Sequence, residues 1–263
     1  MNKNFIARKR FGQHFLNPGQ HLERLIQAVS PNKADRFIEI GPGQGVLTEL
    51  VLPKVGLLVA VEIDRDLAAY LTHTLKSPHF ELINQDVLRF SPATLAHPAP
   101  FRVLGNLPYN ISTPLLLQLK DWVPYMADAH FMVQKEVADR LCATPGTKDF
   151  GRLTVMLHDD FEIEWLFDVP PSAFSPPPKV MSSIIRLTPV KQEPRSDAYR
   201  ASFEQVVKAA FSQRRKQLGN VLAKLCTPED LAAVGIDRTA RAEDISLATY
   251  RSLTQFLIDH KKI

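Results

Sequence analysis

Five short apolar runs set the limits on the fold: RFIEI (36–40), LLVAVEI (57–63), FELIN (80–84), FRVLGN (101–106) and AHFMV (129–133). Several are apolar almost throughout. That is the pattern of parallel strands covered on both faces, because alternation appears only where one face meets water. Helical periodicity falls between them at about 45–53, 65–75 and 113–121, with further candidates at about 18–29 and 135–143. Strand and helix in turn argue an α/β fold on a doubly wound parallel sheet. Two more strands, FEIEWLFDV (161–169) and SSIIRLT (182–188), are separated only by the proline-broken PPSAFSPPPKVM. That stretch cannot form a helical crossover, so one of the two strands runs antiparallel.

After Thr188 the chain changes character. PVKQEPRSD reads as a polar, proline-punctuated linker, and beyond it the periodicity is purely helical. FEQVVKAAF (203–211), QLGNVLAKL (217–225) and LATYRSLTQFLIDH (247–260) carry the i, i+3, i+4 spacing, with Ser246 placed to cap the last. Two domains are expected, residues 1–189 and a small helical domain over 190–263. A chain of 263 residues with 45% hydrophobic content can fill one large core and a smaller one. The net charge of +4 falls on the second part, which holds 13 Lys+Arg against 9 Asp+Glu, while residues 1–189 balance. Lys3, Arg8, Lys9 and Arg10 form a basic head with no acid before Glu23. Basic ends around a neutral middle suit a polyanion held from both ends.

Several classes are disfavoured. No apolar run approaches the roughly 18 residues of a membrane span, and the basic N-terminus lacks the apolar segment of a signal peptide. Cys142 and Cys226 form no CxxC motif, so both are expected as buried small hydrophobes in a reducing cytoplasm. The eight His are scattered with no HExxH or Cys/His cluster, and no metal site is expected.

The first strand runs directly into EIGPGQG, residues 39–45. Glycines at a strand-to-helix turn let a ligand approach the backbone. The dinucleotide fingerprint needs glycine at position 46, which is Val46; a third glycine at 45 is instead the spacing of adenosylmethionine-dependent enzymes. Gly41 and Gly43 are therefore cofactor-binding candidates. Glu62 ends the second strand, where an acid can accept both ribose hydroxyls, and Asp86 follows the third, placed to accept an adenine amine. All lie at carboxyl ends of strands, where open α/β sheets bind ligands. No GK[ST] follows the glycines, which argues against a nucleoside triphosphatase.

The fourth strand ends in Asn106, Leu107, Pro108 and Tyr109. Pro108 fixes its own φ and keeps Leu107 out of the helical region, which holds the local carbonyls away from helix hydrogen bonding. Asn106 adds a side-chain acceptor, and Tyr109 a flat face for a base. An aromatic exocyclic amine is a poor nucleophile because its lone pair is delocalised. Two acceptors gripping its two N–H groups draw the nitrogen towards a tetrahedral shape and aim the lone pair at an incoming carbon. The turn reads as an amine-methylation site.

KRFGQHFL, EIGPGQGVLT, VEID, QDV, NLPYNIS, FMVQKEVADRL, FSPPPKV, AFSQRRKQLGN and RAEDIS occur in that order. Together they resemble the ribosomal RNA adenine N6,N6-dimethyltransferase family, most nearly its 16S branch, over almost the whole chain. The resemblance implies a Rossmann-like class I methyltransferase sheet and S-adenosylmethionine as methyl donor. It also implies, as substrate, two adjacent adenosines in a 3′-terminal hairpin loop of 16S rRNA within a partly assembled small subunit. Ribosome biogenesis, a link to kasugamycin sensitivity, a cytoplasmic location and a monomer are expected with it. Cofactor positions carry over to His14, Leu16, Gly41, Glu62, Asp86 and Asn106. Position 14 is Asn in many relatives, so His14 departs from the pattern. Phe174 matches a second aromatic that would sandwich an extruded adenine with Tyr109. Arg8, Lys9 and Arg10, with Arg214, Arg215 and Lys216, are expected on RNA phosphates. Two other readings are a large-subunit methylase of the macrolide-resistance type and a non-catalytic assembly or transcription factor. The RAEDIS pattern argues against the first and the intact acid and NLPY set against the second.

Overall fold

The computed structural model describes residues 13–191 and 195–263. The chain divides into two units. The first runs to Ala138 and takes in Glu162–Pro189; the second comprises Asp139–Phe161 and Val190–Ile263.

The first unit begins with β1 (Phe15–Leu16) and α1 (Gln20–Val29), then β2 (Arg36–Ile40), α2 (Val46–Val51), β3 (Leu57–Glu62), α3 (Arg65–Thr74), β4 (Phe80–Asn84), β5 (Phe101–Asn106), α4 (Ser112–Gln118) and β6 (Met126–Gln134). α5 (Lys135–Leu141) carries the chain across the division and α6 (Arg152–His158) follows. The chain then returns through β7 (Phe161–Val169), β8 (Phe174–Ser175) and β9 (Ser182–Pro189). Seven strands form one sheet in the order β4-β3-β2-β5-β6-β9-β7. The pairs from β4 to β6 are parallel, and β9 joins β6 antiparallel, as the proline-broken connection requires. All six residues of β3 are buried, which is why its sequence shows no alternation. Phe37, Leu58, Ala60, Leu104 and Met132 form one core with Leu22, Leu25 and Val29 of α1 and Leu47 and Val51 of α2. Burial of each such aliphatic side chain contributes about 1.5–3 kcal/mol.

β1 and β8 form a separate two-stranded ribbon, Phe15 opposite Ser175 and Leu16 opposite Phe174. No strand is read there from sequence, since two residues carry no period. One helical expectation is corrected. The pattern at 217–225 yields only α8 (Leu218–Val221), whose first two amides donate to the Ala240 and Arg238 carbonyls; the chain continues from Leu222 in turns. Conversely, α6 and α9 (Pro228–Ala233) were not anticipated. α9 carries its signals in TPED, with Thr227 as N-cap, proline at the first turn and a capping box to Asp230.

In the second unit, α7 (Asp197–Ala210) and α10 (Leu247–Asp259) pack through Phe203, Val206, Val207, Tyr250, Leu253 and Leu257. Ser246 caps α10 by accepting from the Thr249 amide at 3.1 Å, as expected. Buried Asp159 binds Arg195 and, at 2.8 Å, Arg251. Cys226 is buried, but Cys142 is only half-buried, because α5 ends at Leu141 and the chain leaves its packed face. No helix among the described residues is long and apolar enough to cross a membrane.

One polar residue in the first unit's sheet is energetically exposed to pH. His130 on β6 is 1% exposed, and neither ring nitrogen has a hydrogen-bond partner among the described residues. Burial pushes its pKa down to about 4, with Arg102 and Arg186 adding to the push and Asp128 and Glu164 opposing it. The unfolded chain therefore binds the extra proton between about pH 6.5 and 4, and stability falls as pH drops through that window. Denaturant unfolding should show a loss of about 2 kcal/mol between pH 6.5 and 5 attributable to this group. His130→Leu should flatten that slope; an unchanged slope would show that His130 is not its source.

Candidate active site

The carboxyl ends of β2, β3, β4 and β5 open onto a cavity of ≈ 310 Å³, within the range of small-molecule sites. Its wall contains His14, Leu16, Gly41, Gly43, Glu62, Asp86, Asn106, Leu107, Pro108 and Tyr109. The parallel register brings them level: Ile40 pairs with Val61 and Gly105, and Glu62 with Asn84.

The glycine loop turns through three left-handed positions, Gly41, Gly43 and Gly45, at φ of 63, 60 and 86°. At Gly45 space is limiting as well, since a Cβ would stand 2.7 Å from Leu71 Cδ2 of α3. That explains a third glycine at 45 rather than 46: Gly45 is the N-cap of α2, where the chain must turn and α3 leaves no room. Gly105 matters differently. A Cβ there would lie 2.6 Å from the Ile40 carbonyl oxygen, so the close approach of β2 and β5 at the cavity needs glycine.

Glu62 is 4% exposed. Its Oε2 accepts from the Gly43 amide at 3.2 Å and its Oε1 from the Asp64 amide at 2.8 Å. Each oxygen keeps a lone pair, so the group is oriented and still able to accept. Burial raises its pKa, and the backbone amides hold the rise down. Asp86 uses Oδ1 to cap the following turn, accepting from the Leu88 amide at 3.0 Å, which leaves Oδ2 as an acceptor. These oriented carboxylates, each with acceptor capacity left, suit the hydroxyls and amine of a nucleoside.

At the end of β5, Asn106 Nδ2 donates to the His14 carbonyl at 2.8 Å. A carbonyl only accepts, so the amide nitrogen must face it, and Oδ1 is left without a partner among the described residues. The Leu107 amide continues the sheet by donating to the Met132 carbonyl at 3.0 Å. The Pro108 carbonyl is engaged twice, by the Ile111 amide at 3.1 Å and Ser112 Oγ at 3.0 Å. The Leu107 carbonyl accepts nothing among the described residues. The Leu107 carbonyl, unlike that of Pro108, is therefore left able to accept. Tyr109 is half-buried, hydrogen-bonded to Ser182 Oγ at 2.8 Å, and its hydroxyl pKa is raised by burial.

Other expected site residues lie elsewhere. Phe174 does not reach the cavity wall; it is 3% exposed and packs in the first unit's core beside Leu16, its partner in the β1–β8 ribbon. Arg214 pairs with Glu243 and donates to the Lys148 and Phe150 carbonyls, so its guanidinium braces the second unit. Arg215 and Lys216 are exposed in the turn before α8. Arg8, Lys9 and Arg10 lie outside the described residues. Among the described residues, no group of three or more His, Cys, Asp or Glu is placed to hold a metal ion.

One cavity residue was missed in the sequence. Glu39 is fully buried under the glycine loop, with Thr48 Oγ1 donating to its Oε2 at 2.7 Å. Burial pushes its pKa up to about 8, and nearby Glu62 adds to the rise. The signal was present: a lone acid interrupts the apolar strand RFIEI one residue before its end.

The ribosomal RNA adenine dimethylase family model matches residues 4–259. The chain is 49% identical over 252 residues to a ribosomal RNA small subunit methyltransferase A from Nitrosococcus oceani, covering 95% of this chain and 96% of the relative. It is 46% identical over 250 residues to the protein of that name from Thiobacillus denitrificans, covering 95% and 97%. Among solved structures, a dimethyladenosine transferase from Plasmodium falciparum superposes with a TM-score of 0.80 at 24% identity, over 95% of this chain and 98% of that one. The 23S rRNA methyltransferase ErmE gives 0.69 at 26% identity, over 93% and 99%. These neighbours share the class I methyltransferase fold.

The Glu39 geometry makes a prediction. Its folded pKa lies above the unfolded value of 4.5, so its contribution to stability is present in acid and is lost as pH rises towards about 8. In denaturant unfolding between pH 5 and 8, Glu39→Gln should remove that decline. A variant profile parallel to wild type would show that Glu39 is ionised in the folded protein throughout.

Proposed function

Because the chain belongs to the ribosomal RNA adenine dimethylase family, we propose that it dimethylates N6 of two adjacent adenosines in the 3′-terminal hairpin loop of small-subunit (16S) rRNA. Four transfers complete the modification. The enzyme acts in the cytoplasm, as a monomer, on a partly assembled small subunit. The observation that carries this reading is the pair of unclaimed acceptors, Asn106 Oδ1 and the Leu107 carbonyl, on the same rim as the glycine loop and Glu62.

S-adenosylmethionine, when bound, supplies an electrophilic methyl on a positively charged sulfur. The fit of this chain to it rests on the acids. Glu62, held by two backbone amides, would accept the ribose hydroxyls, and Asp86 Oδ2 the adenine amine. Gly41 and Gly43 let the ligand lie against the backbone, and Leu16 gives an apolar wall. On the acceptor side, Asn106 and Leu107 accept the two N–H groups of the target amine and orient its lone pair. No strong base is needed, because the nitrogen becomes acidic as it gains the carbon. After one transfer a single N–H remains, and one acceptor is enough to hold the amine for the next. Tyr109 stacks on the base, while Phe174, packed in the core beside Leu16, supports the ribbon next to it. Arg215, Lys216 and the basic head at Arg8, Lys9 and Arg10 neutralise phosphates. The far higher identity to the small-subunit relatives than to ErmE favours 16S over 23S rRNA as substrate.

Unmethylated small subunits incubated with the protein and tritium-labelled adenosylmethionine should gain dimethyladenosine at two adjacent positions near the RNA 3′ end. Asn106→Ala should lower that transfer by about a hundredfold or more. Label confined to large-subunit RNA would contradict the substrate, and a wild-type rate in the variant would remove Asn106 from the chemistry.

A further inference from the structure

We propose that His14 is a positioning residue for the acceptor base, clasping Tyr109 and the Pro176 carbonyl, and that its side chain is not a ligand of the methyl donor. The proposal rests on the functional reading above. Three contacts converge on this residue. Its backbone carbonyl accepts from Asn106 Nδ2 at 2.8 Å. Its ring Nδ1 lies 2.8 Å from the Pro176 carbonyl oxygen. Its ring stacks on Tyr109, centroids 5.5 Å apart and planes 27° from parallel. The adjoining ribbon, with Phe15 opposite Ser175 and Leu16 opposite Phe174, fixes the backbone that presents it.

The chemistry of these contacts sets what the side chain can do. A carbonyl oxygen only accepts, so Nδ1 carries the hydrogen. A neutral imidazole has one N–H, and here it is already engaged, while one ring face lies on Tyr109. Only the Nε2 lone pair remains, so the neutral ring has no N–H to donate to a bound nucleoside and keeps a single acceptor. Tyr109 is correspondingly restrained twice, at its hydroxyl by Ser182 and across one face by His14. The incoming adenine is left the other face, in a plane set relative to Asn106 Oδ1. Because Asn106 is itself held by the His14 carbonyl, one residue keeps the stacking plane and the amine acceptor in register. An asparagine at position 14 can reach a carbonyl but has no ring to lay on Tyr109.

His14→Ala, His14→Asn and His14→Phe separate the contributions: alanine removes ring and tie, asparagine keeps the polar reach, phenylalanine keeps the stack. Calorimetric affinity for adenosylhomocysteine should stay within about threefold of wild type in all three. At saturating donor, kcat on small-subunit RNA should fall about tenfold in His14→Ala and less in the other two. A tenfold loss of adenosylhomocysteine affinity with kcat unchanged would overturn the proposal, as would a wild-type rate in His14→Ala. If His14→Ala folds poorly, His14→Asn, which removes the ring, carries the comparison: kcat should fall below that of wild type with adenosylhomocysteine affinity within about threefold. A second readout needs no activity. Long-range 1H–15N spectra of the wild-type imidazole should show the Nδ1–H tautomer, and the Nε2–H tautomer would overturn the clasp. An Nδ1–H spectrum from a protein that methylates no small-subunit RNA would leave the clasp standing and count against the functional reading alone.

Discussion

Parallel register is the constraint on which the rest of the site depends. Four strands hydrogen-bonded side by side end at the same height, with Ile40 beside Val61 and Gly105, and Glu62 beside Asn84. Each strand end then contributes one function to a common rim: a glycine loop, an oriented acid, a capped acid, and the Asn106 turn. No long-range coincidence is needed to gather residues so far apart in sequence. The condition is that β2 and β5 approach closely enough, and Gly105 against the Ile40 carbonyl allows it.

The rim is electrostatically asymmetric. Glu39 and Glu62 are both buried at the glycine-loop end, and burial raises the pKa of each. Such groups resist ionising alone and gain from a positive charge brought beside them. At the Asn106 end the groups are neutral carbonyl dipoles fixed in place, suited to orienting an uncharged amine. One cavity thus joins buried acids beside the glycine loop to fixed neutral acceptors at the Asn106 turn. Backbone hydrogen bonds hold both ends, so little reorganisation is required of the protein.

Much of this was legible in the sequence because it depends on local chemistry. Apolar continuity gave the buried strands, and the proline-broken segment gave the antiparallel pairing of β9. The glycine at 45 was informative because left-handed backbone and the Leu71 contact leave few alternatives. Elsewhere the outcome depends on partners distant in the chain, which no local pattern records. The β1–β8 ribbon is two residues long and exists only because residues 15–16 and 174–175 meet. That ribbon draws Phe174 into the core, where sequence resemblance placed it against the target base. Arg214 reads as one more cation in SQRRKQ, yet the Glu243 carboxylate and two carbonyls claim it. Glu39 was overlooked for the opposite reason: an acid in an apolar strand reads as an interruption until its burial beneath the glycine loop is seen.

The most direct test of the account is a crystal structure with adenosylhomocysteine bound. The account predicts the ribose hydroxyls on Glu62, the adenine against Asp86, and the thioether sulfur facing Asn106 and Leu107 across a gap that admits one carbon. A thioether lodged away from residues 106–109, or a ribose held by groups other than Glu62, would contradict it.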